Sequence, residues 1–452
     1  MIIRWAALTV LLMTACVGMF LATACDPCTH CADHNHRHRK TPTPTATPTS
    51  ATPTATATPT PTATPTSAPN ACLPSSSLAV LVQGKNATVY APQGSWDGGT
   101  AAVKVVPIET IGGLGTGAAP STIVTGNIPN SCSSNSTTGT TVCVANNTDV
   151  YLINGTTLSS TLSSSSDSTE TFTGGQCNNC GVVVDSTVNK ALITIGLATG
   201  GPGGYQFLDL GGTPTFETPI PAGTHVSEDV SIDPIRHLIL SPNENSIYQI
   251  VNTSTSPPGL FNNTIPASDP DLDSAGEDCT TGIALSTDEF TGDLFIADLT
   301  QAIFTAGTPG SWTDTASQFQ TFPEFADFSA GTSGIAIAPG THLGIVVGEF
   351  GGDLEGVIQL PATSGTGTPA VVDYVAFTMP STPAAVAWSQ GLDPHPVTAY
   401  VSPNSGKAFA VLENEDFSFL AVIDLQGLLS APRTGHTVNN PLPAGLVTFI
   451  AE

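Results

Sequence analysis

Four stretches of the sequence share one pattern: GVVVDSTVNKALITIG (181–196), DVSIDPIRHLILSPNENSIYQIVN (229–252), TGIALSTDEFTGDLFIADLTQAIF (281–304) and SGIAIAPGTHLGIVVGEFGG (333–352). Each holds an apolar strand, a turn often containing Asp or Pro, a second apolar strand, and then a polar turn. We place the ends of the first strands at Asp185, Asp233, Ser286 and Ala338, which are 48, 53 and 52 residues apart, and at Ser389, 51 residues later. A period near 50 made of three or four short strands is typical of β-propeller blades.

The number of second strands gives the number of blades. We place these strands near seven apolar residues: Val80, Val142, Leu192, Leu238, Leu294, Val346 and Val411. The sequence therefore predicts an all-β domain over residues 72–452, a β-propeller of seven blades with about 54 residues each. Six blades, a β-solenoid and a double sandwich are the alternatives. We expect the strand-like tail AGLVTFIAE (444–452) to pair into the first blade.

Two further stretches, VANNTDVYLINGTT (144–157) and AVLENEDFSFLAVIDLQG (410–427), place an apolar strand before a polar turn and a second strand after it. They resemble the YVTN-type propeller repeats of secreted bacterial and archaeal proteins, which read roughly as a strand, VAN, a polar turn and V-x-V-I-D. The blades at Asp233 and Thr287 lack the VAN element. The resemblance implies a propeller at a cell surface, and it transfers no catalytic residue.

Composition agrees with an all-β domain that has many tight turns, because Gly, Ser, Thr, Val and Pro are abundant and helix-favouring charged residues are few. From Cys72 onward the chain has 34 acidic and six basic residues, a formal net charge of −28. Such a surface repels phosphate backbones, which excludes nucleic acid as a partner. Cations and cationic ligands are favoured instead.

The N-terminal sequence predicts that the protein is located outside the cytoplasm. Arg4 precedes an apolar run, and ATAC (22–25) resembles the lipobox of bacterial lipoproteins, which makes residues 1–24 a signal peptide and Cys25 the lipid attachment site. An ordinary signal peptide, an uncleaved anchor helix and acylation at Cys16 are the alternatives. We therefore expect a protein of the cell envelope, lipid-anchored to a membrane or secreted.

A Cys/His-rich segment (25–40) and a Thr/Pro-rich linker (41–71) separate this signal from the domain. The linker has no apolar periodicity, so we expect it to be disordered and extended, a spacer that holds the domain away from the membrane. The Cys/His-rich segment has the ligand types that bind Zn or Cu, and a local disulfide beside a basic run is the alternative. Its candidate ligands are Cys28, His30, Cys31, His34, His36 and His38.

The acidic stretch ASDPDLDSAGEDCTTG (267–282) is the candidate metal site of the domain, and calcium is the only cofactor that the sequence suggests there. Alternating carboxylates can converge on one hard cation, as they do at the start of an EF-hand loop. An EF-hand is rejected because Ser274 and Thr280 stand where that motif needs Gly and Glu. An irregular calcium site and a solvated acidic loop remain open. The candidate ligands are Asp269, Asp271, Asp273, Glu277 and Asp278.

Six cysteines in the domain predict disulfides, since the chain is expected outside the cytoplasm. Cys132 and Cys143 flank a Ser/Thr-rich turn and are expected to staple a hairpin. Cys177 and Cys180 form a CNNC motif, which we interpret as a local structural disulfide, because a redox motif needs a following helix and a strand follows here. The pairing of the other two cysteines stays open.

These observations favour a monomeric binding module over an enzyme. No nucleophile, zinc-protease, phosphate-loop or dinucleotide motif is present, and no catalytic residue is assigned. We expect an anchored propeller that binds a protein, a polymer or a cation through its loop face. The alternative is a calcium-dependent, lactonase-like hydrolase with its site at the propeller channel. A third hypothesis is metal capture by the Cys/His-rich segment, with the propeller as a passenger.

Overall fold

The computed structural model describes residues 78–93, 100–145, 147–166, 179–196, 203–223, 229–243, 247–264, 272–288, 293–314, 318–321, 332–348, 355–365, 369–375, 397–413, 419–430 and 445–451. These residues belong to one compact unit that spans residues 65–452. They form seven small sheets, antiparallel except for one parallel pair in blade 4, arranged as a seven-bladed β-propeller. None of the described helices has the length and hydropathy of a membrane span.

Blades 1 to 3 each follow the order of the chain. Blade 1 has β1 (Ala79–Gln83), β2 (Asn86–Gln93) and β3 (Ala102–Thr110), with β4 (Gly113–Leu114) and β5 (Ser121–Val124) both paired to β3. Blade 2 has β6 (Pro129–Ser134), β7 (Thr140–Ala145), β8 (Asp149–Asn154) and β9 (Thr157–Ser163). Blade 3 has β10 (Asn179–Asp185), β11 (Lys190–Ile195) and β12 (Gly204–Asp209), with β13 (Thr215–Phe216) and β14 (Ile220–Pro221) on its outer edge.

A hairpin that lies within blade 5 in the sequence joins the sheet of blade 4. Blade 4 has β15 (Ser231–Asp233), β16 (Leu238–Asn243), β17 (Ile247–Asn252) and β18 (Gly259–Thr264). Blade 5 has β19 (Leu272–Asp278), β20 (Ile283–Asp288), β21 (Asp293–Asp298) and β24 (Gln318–Thr321). Between its last two strands lie a 3-10 turn (Leu299–Gln301) and the hairpin β22 (Ile303–Thr305) and β23 (Gly310–Thr313). Strand β23 pairs parallel to β18, so this hairpin joins the sheet of blade 4.

Blades 6 and 7 are four-stranded. Blade 6 has β25 (Thr332–Ala338), β26 (Leu343–Gly348), β27 (Glu355–Gln359) and β28 (Ala370–Val375). Blade 7 has β29 (Val397–Val401), β30 (Ala408–Glu413), β31 (Phe419–Asp424), the helix α1 (Leu425–Ser430) and β32 (Val447–Ala451). The strand-like tail is therefore the outer strand of the last blade, paired to β31. The expectation that it joins the first blade was wrong, because blade 1 supplies its own strands.

Seven apolar clusters fill the seven junctions between neighbouring blades and close the ring. Blade 1 packs on blade 2, blade 2 on blade 3, blade 3 on blade 4 and blade 4 on blade 5. Blade 5 packs on blade 6, blade 6 on blade 7, and blade 7 on blade 1. Each blade is apolar on both faces, so it buries its surface only between two neighbours. This packing explains why the strands read as nearly continuous apolar runs.

The first strands of the blades form the inner ring, where β1, β6, β10, β15, β19, β25 and β29 contact one another in succession. Serine hydroxyls join neighbouring first strands. Ser131 and Ser133 of blade 2 accept hydrogen bonds from backbone N–H groups of β10 at 3.3 and 3.0 Å. Ser274 of blade 5 accepts one from Ile335 of blade 6 at 3.2 Å. Serine at these positions satisfies backbone donors that have no strand on their inner side.

One turn geometry recurs between the first and second strands of blades 2 to 7. A residue near the end of the first strand pairs with the residue five positions later. The residue four positions later has a left-handed backbone, with φ of 55° to 77°, at Gly139, Asn189, His237, Gly282, His342 and Gly406. Gly and Asn are the usual residues for that conformation. At the two histidines the backbone carbonyl accepts a hydrogen bond, from the N–H of Thr253 at His237 and from the N–H of Leu360 at His342.

The structure corrects the assignment of individual strands. Ser286 lies on the second strand of blade 5, whose first strand ends at Asp278, and Leu294 lies on the third strand. Val80 lies on the first strand of blade 1. Ser389 lies outside the described residues, and the first strand of blade 7 ends at Val401. The number of blades is nevertheless confirmed.

Candidate functional site

The strand order divides the connections between two rims of the propeller. The lower rim holds the connections from first to second and from third to fourth strands. The upper rim holds the connections from second to third strands and from one blade to the next. The second-to-third connections are residues 94–101, 146–148, 196–203, 244–246, 289–292, 349–354 and 414–418. The blade-to-blade connections are residues 125–128, 164–178, 222–230, 265–271, 322–331 and 376–396.

Polar side chains at the lower rim cap the recurrent turn. Asp185 Oδ1 accepts a hydrogen bond from the backbone N–H of Thr187 at 2.9 Å, and Asp278 Oδ1 accepts one from Thr280 at 3.0 Å. Asp233 accepts two, from Ile235 at 2.9 Å and from Arg236 at 2.8 Å. Asn135 and Ser402 make the same contact in blades 2 and 7. These carboxylates stabilise turns, so their recurrence reflects the fold.

Glu277 and Asp278 of the acidic stretch lie next to each other on β19, and their side chains point to opposite faces of blade 5. Asp278 faces blade 6, where its Oδ2 forms an ion pair with Nδ1 of His342. Burial raises the pKa of Asp278, but the hydrogen bonds from His342 and Thr280 outweigh it and lower that pKa. The same hydrogen bond raises the pKa of His342. The pair joins blades 5 and 6.

Glu277 is buried in the same blade, and neither of its carboxyl oxygens has a hydrogen-bond partner among the described residues. Burial raises its pKa well above the usual value, and Asp233 raises it further, while Arg236 acts in the opposite direction. The hydroxyl of Tyr248 in blade 4 is likewise buried and without a partner. Burial raises the pKa of Tyr248, with additional contributions from Glu277 and Asp314. Two polar groups are therefore buried together where blade 4 meets blade 5.

The candidate calcium ligands are only partly described. Asp269 and Asp271 lie outside the described residues, Asp273 lies half-buried on β19, and Glu277 and Asp278 diverge. The described part of the chain holds no group of three or more His, Cys, Asp or Glu side chains placed to bind a metal ion. The calcium site stays a prediction, as does the hydrolase alternative, which needs carboxylates from several blades to converge.

The candidate sites of the N-terminal segment, Cys25 and the Cys/His ligands at 28–38, also lie outside the described residues. In the domain, a disulfide joins Cys132 to Cys143, which are directly opposite each other on β6 and β7. Cys180 and Cys279 are also disulfide-bonded. Cys177 is not among the described residues, but strand β10 does include Cys180 and continues from the CNNC motif.

The two rims differ in charge, and this feature was missed at the sequence level. By sequence, the upper-rim connections contain sixteen Asp and Glu residues and no Lys or Arg; all of the sixteen except the buried Asp229 lie outside the described residues. The lower-rim connections, including their short strands and helix, contain two acidic residues (Glu217, Asp314) and four basic ones (Lys85, Arg236, Lys407, Arg433). The formal charges of the connections alone are −16 and +2, but the strand ends at the lower rim add seven carboxylates and one lysine, so the lower rim is also negative as a whole. The signal was present in the sequence, but it needs the strand order to show which connections share a rim.

The ion pairs formed by described residues lie at the lower rim. Lys190 pairs with Glu217 near the first hairpin of blade 3, and Arg236 pairs with Asp233 at 2.5 Å. Lys407 pairs with Asp424 at 2.5 Å in blade 7. The basic residues of the domain are thus largely used at one rim, where they offset nearby carboxylates.

Comparisons with known proteins add little to this description. No known protein family matches the chain. No curated protein matches it either. Among solved structures, one similar chain belongs to the structure described as "Crystal Structure of Mitotic Checkpoint Complex"; the two share 9% identity over 75% of this chain and 83% of that chain, with a TM-score of 0.48. The assignment of the fold therefore depends on the seven sheets and their junctions.

Proposed function

We propose that the protein is a cell-envelope-anchored propeller that binds a protein or polymer partner through its upper rim. The propeller fold is consistent with an interaction module. The variable connections of the upper rim support the proposal that this rim is the binding surface. The first-to-second turns of the lower rim repeat one geometry in blades 2 to 7, and its third-to-fourth connections range from two residues (155–156) to 22 (425–446). Upper-rim connections have no repeated turn among the described residues and range from three residues (146–148) to 21 (376–396). Variable connections on a constant scaffold are where binding residues usually lie.

Anchoring is the second part of the proposal. A lipid on Cys25 and an extended linker at residues 41–71 support a domain displayed at some distance from the membrane. The linker would let the rim reach a partner in the same envelope. Changing Cys25 to Ser tests this part directly. We expect the variant to lose incorporation of a palmitate analogue and to leave the membrane fraction; a variant that stays labelled or membrane-bound contradicts the anchor.

The binding part is tested by photo-crosslinking in cells with the full chain. A crosslinking amino acid replaces Thr100, which is exposed at the upper rim, and in a matched variant replaces Thr187, which is exposed at the lower rim. We expect discrete crosslinked products from position 100 that are absent from position 187. Identical products from both positions, or none from position 100, would overturn the assignment of the rim.

A further inference from the structure

We propose that Cys279 of blade 5 forms a disulfide with Cys72, the cysteine that precedes blade 1 in the sequence. Cys279 is fully buried and disulfide-bonded, and it follows Asp278, the last residue of β19, at the lower rim. The bond would tie the end of the Thr/Pro-rich linker to that rim. The pairing itself is independent of the proposed function, whereas its consequence for orientation rests on the proposed anchor at Cys25.

The other described cysteines do not supply this partner. Cys132 and Cys143 are bonded to each other. Cys180 lies near the upper end of β10, and Cys279 follows the lower end of β19. Because these two strands end at equivalent turns, Cys180 lies six residues above the level of Cys279, a strand rise of about 20 Å. The Cα atoms of a disulfide lie at most about 7 Å apart, so Cys180 and Cys279 have different partners.

Cys177 is too close to Cys180 in the sequence to reach Cys279. Three residues extend a chain by at most about 11 Å, so about 9 Å would remain between the levels of Cys177 and Cys279, which exceeds the disulfide limit. Blade 4 also lies between blades 3 and 5. These distances agree with the local pair of Cys177 and Cys180 that the CNNC motif predicts.

Cys72 has the length of chain that the bond needs. It lies six residues before Leu78, which is buried at the upper end of β1. Six residues span up to about 22 Å, and the rise from Leu78 to the level of Cys279 is about 20 Å. The disulfide itself adds up to about 7 Å between the two Cα atoms. Both ends belong to the inner ring of first strands, so the direct route runs through the centre of the ring.

The cysteines further towards the N-terminus are less suited to this bond. Cys16 lies in the predicted signal peptide, and Cys25 is the proposed lipid site. Cys28 and Cys31 are more than 40 residues further from the domain than Cys72. A long tether gives a much lower effective concentration at the ring than a tether of six residues.

Cys279 occupies a turn that the neighbouring blades hold in place. Arg236 of blade 4 donates a hydrogen bond to the carbonyl oxygen of Cys279 at 2.9 Å, and His342 of blade 6 pairs with Asp278. The equivalent position is Ser or Pro in blades 2, 3, 4, 6 and 7, so the turn does not require cysteine. A bond specific to blade 5 explains why that blade alone has one.

Formation of the bond oxidises two thiols. The Sγ–Sγ bond forms while two protons and two electrons pass to a protein disulfide of an oxidising compartment, which is reduced to a dithiol. This chemistry fits the location outside the cytoplasm that the N-terminal sequence predicts. A linker fixed at the lower rim would direct the upper rim away from the membrane, towards its partner.

Mass spectrometry of the full chain, extracted in detergent after alkylation of free thiols, tests the pairing. Digestion with pepsin at low pH suppresses disulfide exchange, because few thiols are then ionised. We expect a peptide pair that joins Cys72 to Cys279 and separates on reduction. A bond from Cys279 to Cys177, Cys28 or Cys31, or an alkylated Cys279, would overturn the proposal.

Two matched serine variants distinguish the two bonds. After denaturation without reductant, Cys72→Ser should show one new alkylated thiol at Cys279, and Cys177→Ser should show one at Cys180. A new thiol at Cys180 in Cys72→Ser would contradict the pairing.

The orientation is tested with a crosslinking amino acid at Ser67, five residues before Cys72. We expect crosslinks within the chain to lower-rim peptides, and crosslinks to upper-rim peptides would overturn the orientation. Failure of this inference is distinguishable from failure of the proposed function, because neither crosslinks to a partner from position 100 nor lipid labelling at Cys25 requires the bond.

Discussion

His342 combines two roles that are separate in most blades. Its backbone is left-handed (φ 58°), at the turn position that other blades fill with Gly, Asn or His237. Its ring crosses to blade 5 and pairs with Asp278, whose side chain is fully buried. One residue thus completes a turn and fastens a junction, so its charge state matters to the ring.

The pH dependence of this pair can be predicted from the directions of its pKa shifts. The pKa of His342 is raised, so its contribution to stability is complete below about pH 6.5 and is lost as pH rises through the raised pKa. The pKa of Asp278 is lowered, so its contribution is present above about pH 3.8 and is lost as pH falls through the lowered pKa.

The variant His342→Asn keeps a residue that tolerates the left-handed backbone and removes the ion pair. We expect the free energy of unfolding to fall by about 1 kcal/mol between pH 4.5 and 6, and by less at pH 9. Urea unfolding at the two pH values measures the difference. The control is His237→Asn, which makes the same change at the equivalent turn in blade 4; an equal pH dependence in both variants would contradict the role of the pair.

For Glu277 we predict the opposite effect, a substitution that stabilises the protein. Its folded pKa is raised, so the folded state retains a proton that the unfolded chain loses, and stability falls as pH rises above about 4.5. Glu277→Gln has nearly the same shape and no charge. We expect its melting temperature to match the unchanged protein near pH 4.5 and to exceed it at pH 8, as measured by thermal unfolding. A variant that melts lower at pH 8 would show that the carboxylate has a partner.

At the residue scale the sequence was informative where residue type reports backbone geometry. Asp, Asn or Ser before a turn and Gly, Asn or His four positions later could be found in the printed chain. Glu277 and Asp278 misled because charged residues in a row indicate an exposed loop, whereas here they end a buried first strand. That strand was therefore assigned one strand too late, to Ser286.

Among the elements, the hairpin β22–β23 departs most from the repeat. It leaves blade 5 and extends the sheet of blade 4, where Trp312 of β23 is buried and donates its indole N–H to the carbonyl of Tyr248 at 3.0 Å. The rings of Tyr248 and Trp312 lie 5.9 Å apart. The hairpin therefore adds a second attachment between blades 4 and 5, and its Trp312 belongs to their common apolar cluster.

Truncating this attachment should be costly at one residue and neutral at another on the same hairpin. Trp312→Ala removes a buried ring and a hydrogen bond, so we expect the free energy of unfolding to fall by about 4 kcal/mol in urea titrations. Ile303→Ala changes a side chain that is 63% exposed on β22 and should stay within about 0.5 kcal/mol. Similar losses for both would mean that the hairpin is stabilised in another way.

Element by element, periodicity located the strands but not their rank within a blade. The apolar runs near Val142, Leu192, Leu238, Val346 and Val411 are second strands as predicted. The first two strands of a blade, such as β10 and β11, are both buried on both faces, so nothing in their sequences distinguishes a first strand from a second. The parallel pairing of β23 with β18 was beyond reach, because it depends on the position of a neighbouring blade.

In the whole molecule, the junction of blades 7 and 1 must join strands far apart in the sequence. Glu109 of blade 1 is buried there and accepts hydrogen bonds from the hydroxyls of Tyr400 (3.3 Å) and Ser402 (2.6 Å) and the amide of Asn404 (2.9 Å), all in blade 7. Burial is the main cause of the raised pKa of Tyr400, and the charge of Glu109 adds to it. A polar contact thus supplements the apolar cluster at the closing junction.

Glu109→Ala removes the acceptor shared by these three donors. We expect the free energy of unfolding to fall by about 3 kcal/mol, because the buried hydroxyls of Tyr400 and Ser402 lose their acceptor. Urea unfolding followed by circular dichroism measures the loss. Glu217→Ala, at a carboxylate whose side chain is 35% exposed and pairs with Lys190, is the matched control and should cost less than about 1 kcal/mol. An equal loss of unfolding free energy in both variants would contradict the role of Glu109 at the closing junction.

At this scale the sequence predicted the most. Length, turn-rich composition and a period near 50 are properties of the whole ring, and they survive errors in single strands. The way in which the ring closes was predicted wrongly. We expected the C-terminal strand to pair into the first blade, but packing and Glu109 join the last blade to the first without a shared strand. The charge difference between the rims emerged only when the strand order had assigned each connection.

Because every blade except blades 4 and 5 is made of consecutive strands, the chain could start its circuit elsewhere. Strand β1 begins and β32 ends at the same rim, in adjacent blades. A short peptide joining those two points, with a new opening between β9 and β10, would produce a circularly permuted protein with every strand pair preserved. An opening between blades 4 and 5 would be tolerated least, because there the shared hairpin β22–β23 spans the cut.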